Sequence, residues 1–276
     1  MATQGYRRAL GQHFLQDLAV AQLIADTALD EARKHGCQAL LEIGPGQGAI
    51  THPIAQRLAR SPDQEGLKEF FLCERDVNFA DFWATQGLRV EKGDFMEVPE
   101  ERWLQNRPLA VVSNLPYSAG TAIANRLAQR REAIPVMVLM FQAEVAQRFY
   151  ASIGTKAWGS LSLWIQNRWD VTRLAFVPPK AFRPPPKVNS EVIVMTRRAQ
   201  PRIAVGDDAA SEKRWESLLH VAFAHRRKML RSGLPPGGHW RNALVKAELD
   251  VTKRAEALSW DEWRRFYEAV LQLEKS

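Results

Sequence analysis

The sequence predicts an α/β chain: an open, mostly parallel, doubly wound sheet followed by a small all-helical C-terminal domain. Three observations carry this. Apolar, strand-like runs at Leu40–Ile43, Glu69–Cys73, Leu88–Glu91, Leu109–Ser113 and Pro135–Phe141 alternate with helical-period stretches near Ile50–Arg60, Val77–Gln86 and Thr121–Arg131. The first run ends in a glycine-rich turn that opens a helix. Past a break at Gln200–Ala210, where Pro201, Gly206 and Asp207-Asp208 interrupt the pattern, only helical spacing remains. The expected division is therefore residues 1–200 and residues 201–276.

Composition supports a folded, globular chain. Of its 276 residues 46% are hydrophobic and 25% charged, enough for a proper core. No apolar run approaches the roughly 18 residues needed to span a bilayer. The opening MATQGYRRALGQHFL lacks the apolar segment of a secretory signal. Cys37 and Cys73 have no metal-ligand spacing, so no metal is expected, and a reduced cytoplasmic protein is the simplest reading. The net charge of +7 favours a polyanionic partner, the alternative being an ordinary basic surface. No sustained heptad appears, and a monomer is expected.

The stretch Leu40–Thr51, LLEIGPGQGAIT, is a strand that stops at Glu42, turns through Gly44, Pro45, Gly46 and Gly48, and starts a helix. Its G-x-G-x-G spacing does not match the pyrophosphate fingerprint G-x-G-x-x-G. An acidic residue just before the turn suits a ligand carrying an ammonium group better than one carrying phosphates. S-adenosylmethionine (SAM) is such a ligand; a mere tight βα turn is the alternative. Upstream, Asp17 is a plausible N-cap for the periodic LAVAQLIADTAL, and GQHFLQD before it is either a tail or a cover over a pocket.

Ligands of doubly wound sheets bind at the carboxyl ends of the strands. The second strand ends in Glu74-Arg75-Asp76, where either carboxylate can bind ribose hydroxyls or cap the next helix. The third ends in Gly93-Asp94-Phe95, offering an acceptor for an adenine amino group and a ring beside the base. The fourth ends in Asn114-Leu115-Pro116-Tyr117, a poor candidate for a simple turn because of its place at a strand end.

Beyond Ala151 the run Trp158–Val177 is rich in aromatic and β-branched residues, and Val188–Arg197 alternates like a strand. Between them Pro178–Lys187 forms a stiff loop that presets Phe182 and its basic neighbours. In the C-terminal part, Ala224–Arg231 is a dense basic run within an expected helix Ser211–Arg231, either a solvated face or a phosphate-binding one. Ser259 and Glu262 form a capping box for a last helix.

With these pieces in place, the chain resembles the small-subunit (16S) ribosomal RNA adenine N6,N6-dimethyltransferases of the KsgA type. The likeness rests on Gly11-Gln12-His13-Phe14-Leu15, Glu42-Ile43-Gly44-Pro45-Gly46, Asp94, Asn114-Leu115-Pro116-Tyr117, Phe182 with Pro184–Ser190, and Phe223-x-x-Arg226-Arg227-Lys228-x-Leu230-Arg231. It implies a class I (Rossmann-like) SAM-dependent methyltransferase that dimethylates two adjacent adenines near the 3′ end of small-subunit rRNA, in late assembly. By position, it implies that Gln12, His13, Leu15, Glu42, Gly44, Gly46, Glu74, Asp94 and Asn114 line the SAM site. Asn114, Leu115, Tyr117 and Phe182 would face the target base, with Phe182 stacking on it. Arg183, Lys187, Arg226, Arg227, Lys228 and Arg231 would bind RNA. A catalytically weakened assembly factor, or an enzyme for a different rRNA, are the competing expectations.

Three positions depart from the family pattern. Leu72 stands where a ribose-binding Glu is usual, so either Glu74 substitutes or cofactor affinity falls; a lost charge-assisted contact costs roughly 1.5–3 kcal/mol. His13 replaces an Asn, and Ala143 a common Lys.

Overall fold

A computed structural model of the protein describes residues 13–60, 66–206, 208–236 and 239–274. Gln12 and the basic N-terminal segment before it lie outside them.

The strands are β1 (Phe14–Leu15), β2 (Ala39–Ile43), β3 (Glu69–Glu74), β4 (Arg89–Lys92), β5 (Leu109–Asn114), β6 (Val136–Gln142), β7 (Trp169–Val177), β8 (Phe182–Arg183) and β9 (Ser190–Arg197). Seven of them form one sheet in the order β4-β3-β2-β5-β6-β9-β7. Neighbours from β4 to β6 run parallel, and β9 runs antiparallel to β6. The short β1 and β8 pair separately, Leu15 facing Phe182. The central strands are buried along their length, as Ala39–Ile43 and Val136–Phe141 show, because helices cover both faces of such a sheet.

Helices α1 (Leu18–Lys34), α2 (Thr51–Arg60), α3 (Val77–Thr85), α4 (Glu100–Trp103) and α5 (Gly120–Ala128) fill the connections. Asp17 caps α1 by accepting from the backbone N–H groups of Ala19 and Val20, both at 3.1 Å. Of the two acidic residues at the end of β3, Glu74 and Asp76, Asp76 is the cap: it accepts from Asn78 and Phe79 at the start of α3. Ile24, Ala25 and Leu29 of α1 join Leu40, Val112 and Val138 in one core with Leu15 and Phe182.

The chain divides into two compact units, one of residues up to Ala146 with Val171–Arg197, the other of Gln147–Asp170 with Arg198 onward. The division expected at residue 200 is thus redrawn: 147–170 goes with the helical unit. The reason is packing. Trp158 and Leu163 sit in the core of Trp215, Leu218, Trp263 and Phe266, and the Asn167 amide exchanges hydrogen bonds with Ile203, receiving from its N–H at 2.7 Å. The first half of the aromatic run is a helix, α7 (Ser160–Arg168), with the Ser162 hydroxyl accepting from the Gly159 N–H at its start.

The helical unit also holds α8 (Ala209–Phe223), α9 (Leu230–Gly233), α10 (His239–Lys246) and α11 (Trp260–Glu274), while the residues of α6 (Ala143–Tyr150) are divided between the two units at Ala146. Ser259 and Glu262 form the expected reciprocal capping box. The basic run is not helical throughout: α8 stops at Phe223, and residues 224–228 form a turn closed by the Lys228 N–H on the His225 carbonyl.

Candidate active site

From β2 the chain moves outward to β3 and β4, then returns to β5 on the other side of β2. Strand order reverses there, at the carboxyl ends of β2 and β5, which is where ligands of such sheets bind. The buried Ser113 hydroxyl donates to the Ile43 carbonyl at 2.6 Å, tying the two ends together. Glu42 and the glycine loop therefore stand beside Asn114.

The loop is held by hydrogen bonds from three sides. The Gly44 N–H donates to the Cys73 carbonyl at 2.8 Å, the Gly46 N–H to Glu74 Oε2 at 3.0 Å, and Trp83 Nε1 to the Gly46 carbonyl at 3.0 Å. Gly44 has φ +67° with open space where a Cβ would point, whereas at Gly48 a Cβ would fall 2.3 Å from the Trp83 ring. Trp83 is a brace of the loop that the sequence reading missed; a tryptophan on a helix after β3 signals only core.

Two carboxyl groups are buried at this loop. Burial raises the Glu42 carboxyl to about 8, opposed by the Thr51 hydroxyl and reinforced by Glu74. Its Oε2 is buried without a hydrogen-bond partner among the described residues. Glu74 is also raised by burial, against hydrogen bonds from the backbone of Asp76 and Gly46. Its Oε1 accepts from Asp76 at 2.8 Å and its Oε2 from Gly46, so Glu74 is first a brace for the loop. Each oxygen keeps a lone pair. Leu72 is fully buried and offers nothing to a hydroxyl. Across the crevice rim, Asp94 Oδ1 accepts from the Met96 N–H at 2.9 Å and Oδ2 pairs with Arg75 at 3.3 Å. Arg126 secures this loop by donating to the Phe95 and Val98 carbonyls beneath the Phe95 and Trp103 rings.

At the end of β5 the Asn114 side-chain NH₂ donates to the His13 carbonyl at 3.5 Å. The His13 ring packs on Tyr117 with centroids 5.5 Å apart and 33° between planes, and His13 Nδ1 lies 2.8 Å from the Pro184 carbonyl. The half-buried Tyr117 meets Ser190 Oγ at 2.7 Å through its hydroxyl. Leu115 is buried, its N–H on the Met140 carbonyl. Leu15 and Phe182 are core residues: Phe182 is 4% exposed. In the structure the Phe182 ring is therefore buried, in a strand that pairs with β1 at Leu15.

Arg183 and Lys187 are exposed in the first unit. In the second, Arg227, Lys228 and Arg231 are exposed, while Arg226 is held by Glu256 at 2.6 Å and by the Thr155 carbonyl.

The residues fit SAM at its amino-acid end. An orphaned, buried carboxyl oxygen of Glu42 and the open face of Gly44 answer a cationic ligand, which draws the carboxyl back to its ionised form. The sign for the free protein follows. A carboxyl raised from 4.5 to about 8 keeps a proton in the folded state that the unfolded chain gives up, so folding stability is lost as pH rises across that window. Thermal unfolding of the free protein between about pH 5 and 8 should show this slope, and E42Q should flatten it. Equal slopes in both proteins would contradict the assignment.

Comparison with known proteins agrees with this geometry. The ribosomal RNA adenine dimethylase family pattern matches residues 4–272. The chain is 34% identical over 270 residues to the ribosomal RNA small subunit methyltransferase A of Syntrophotalea carbinolica, covering 96% of each. It is 35% identical over 263 residues to that of Porphyromonas gingivalis, covering 93% of this chain and 94% of the other. Among solved structures, a dimethyladenosine transferase from Plasmodium falciparum superposes with a TM-score of 0.70 at 20% identity, over 95% of this chain and 98% of that one. The 23S rRNA methyltransferase ErmE superposes with a TM-score of 0.64 at 23% identity, over 94% and 100%. These likenesses show the fold, that of class I methyltransferases. With its sequence matched almost end to end, the chain belongs to the ribosomal RNA adenine dimethylase family of SAM-dependent methyltransferases.

Proposed function

We propose that the protein transfers methyl groups from SAM to N6 of two adjacent adenines near the 3′ end of small-subunit rRNA. It does so twice on each base, late in subunit assembly, as a cytoplasmic monomer. The observation that carries this reading is the position of Asn114–Tyr117 at the carboxyl end of β5, beside the glycine loop, in a chain with relatives named small-subunit methyltransferases.

SAM, when bound, supplies an electrophilic methyl group. Glu42, Gly44 and Gly46 would hold its amino-acid end, with Asp94 toward its adenine; His13 and Leu15 bound the same pocket. The residues around Asn114 prepare the nucleophile. The lone pair of adenine N6 is delocalised into the ring and attacks poorly. With its amide donated to His13, the Asn114 side chain offers its carbonyl to one N6 hydrogen, and the Leu115 backbone carbonyl offers a second acceptor. Both interactions strengthen as charge grows on the nitrogen. No strong base is required, since the alkylated amine is acidic enough to lose its proton to water. Tyr117 gives a base lifted from its stack an aromatic face, worth about 1–3 kcal/mol. Arg183, Lys187, Arg227, Lys228 and Arg231 supply exposed cations for the RNA backbone.

The buried Leu72 favours one second reading, an rRNA-binding assembly factor with weakened cofactor affinity. The deciding experiment is transfer of labelled methyl from SAM to small subunits lacking adenine dimethylation, followed by mass spectrometry of the digested RNA. Two neighbouring dimethyladenines are expected; tight particle binding without transfer at saturating SAM would leave the second reading. In the same assay N114A should lower kcat on the order of 10²–10³-fold while SAM affinity changes less than about threefold. Equal loss of both would count against the role given to Asn114.

A further inference from the structure

Ser190 lies far from every motif residue in the first half of the sequence, yet its side chain ends at the site. It opens β9, is fully buried, and its Oγ is 2.7 Å from the Tyr117 hydroxyl. The sheet fixes where that hydroxyl stands. Ser190 faces Gln142 in the β9–β6 ladder, and Asn114 faces Met140 in the β5–β6 ladder. Ser190 and Asn114 are thus positioned against the same strand, two residues apart along it. Tyr117 sits on the turn after β5, where its ring would otherwise be free to rotate. Ser190 holds the hydroxyl end of that ring, and the His13 imidazole packs against the ring itself.

We infer that Ser190 is a positioning residue for methyl transfer: it fixes the Tyr117 ring, and through it the plane of the target adenine relative to Asn114. The inference rests on the function proposed above. The physical reason is that a stacked base inherits the orientation of its platform, and small errors in the angle of attack cost rate steeply. The bond is also sheltered. A buried serine hydroxyl without its partner loses a hydrogen bond that water does not replace, so the pair is held together from both sides.

The test is a double-mutant cycle of S190A and Y117F, neither of which removes the aromatic platform. Turnover is measured at saturating SAM and saturating small subunits, with SAM Kd alongside. Each single variant should lose about tenfold in kcat, and the double variant about tenfold rather than a hundredfold, because both remove one bond. SAM Kd should stay within about twofold of wild type, separating this from a general loosening of the pocket. Wild-type kcat in S190A, a multiplicative loss in the double variant, or a matching loss of SAM affinity would each overturn the inference. If S190A does not fold, Y117F alone decides, and unchanged kcat there overturns it too. An inactive wild type would instead refute the function, and this inference with it.

Discussion

The reversal of strand order between β2 and β5 is the constraint on which the site depends. Because the chain leaves β2 in one direction and returns on its other side, the connections that follow β2 and β5 diverge and the carboxyl ends of these two strands lie side by side. The glycine loop and Asn114, 66 positions after Gly48 in sequence by subtraction, become neighbours through this reversal, and the Ser113–Ile43 hydrogen bond closes the seam beneath them. Everything chemical in the first unit is arranged along that seam: carboxyl groups and open backbone on the β2 side, carbonyl acceptors and aromatic rings on the β5 side.

Holding such a site in shape requires side chains that contribute no chemistry themselves. Glu74 receives two backbone N–H groups, Trp83 donates to Gly46, and Arg126 fastens the loop bearing Asp94. Fixed dipoles and oriented groups of this kind lower the reorganisation needed during reaction. The same arrangement has an electrostatic consequence. Glu42 and Glu74 are both poorly solvated, and Glu74 adds to the burial that disfavours ionisation of Glu42 until a cation arrives. The pocket is thereby biased toward a positively charged ligand before any contact with its adenine is made.

Much of this was legible in the sequence, because local patterns and short motifs carry it. Strand–helix alternation gave the doubly wound sheet, Asp17 and the Ser259–Glu262 pair gave helix starts, and the glycine loop with Asn114–Tyr117 marked the strand ends that matter. What escaped depends on distant partners. Trp83 reaches Gly46 across 37 residues and Ser190, though it ends a recognised stretch, reaches Tyr117 across 73, with nothing local to announce either contact. The proline-rich loop signalled a preset Phe182, but not that its ring lies buried in a strand paired with Leu15. The basic run read as helix because its residues favour one; the turn at 224–228 and the pull of Glu256 on Arg226 are tertiary effects. Residues 147–170 likewise join the helical unit through Trp158 and Leu163, whose core partners lie beyond residue 200.

The departure at Leu72 puts the most weight on Glu74, whose carboxylate braces the loop in place of reaching outward. Calorimetric titration of SAM into the wild type and E74Q tests that account most directly. A glutamine keeps one acceptor but sets an amide NH₂ against a backbone donor, so the brace is broken without loss of size. The wild type should bind SAM at one site, and E74Q should bind at least about tenfold more weakly. Equal affinity in the two proteins, or no binding by the wild type, would contradict the claim that this carboxylate shapes a working cofactor pocket.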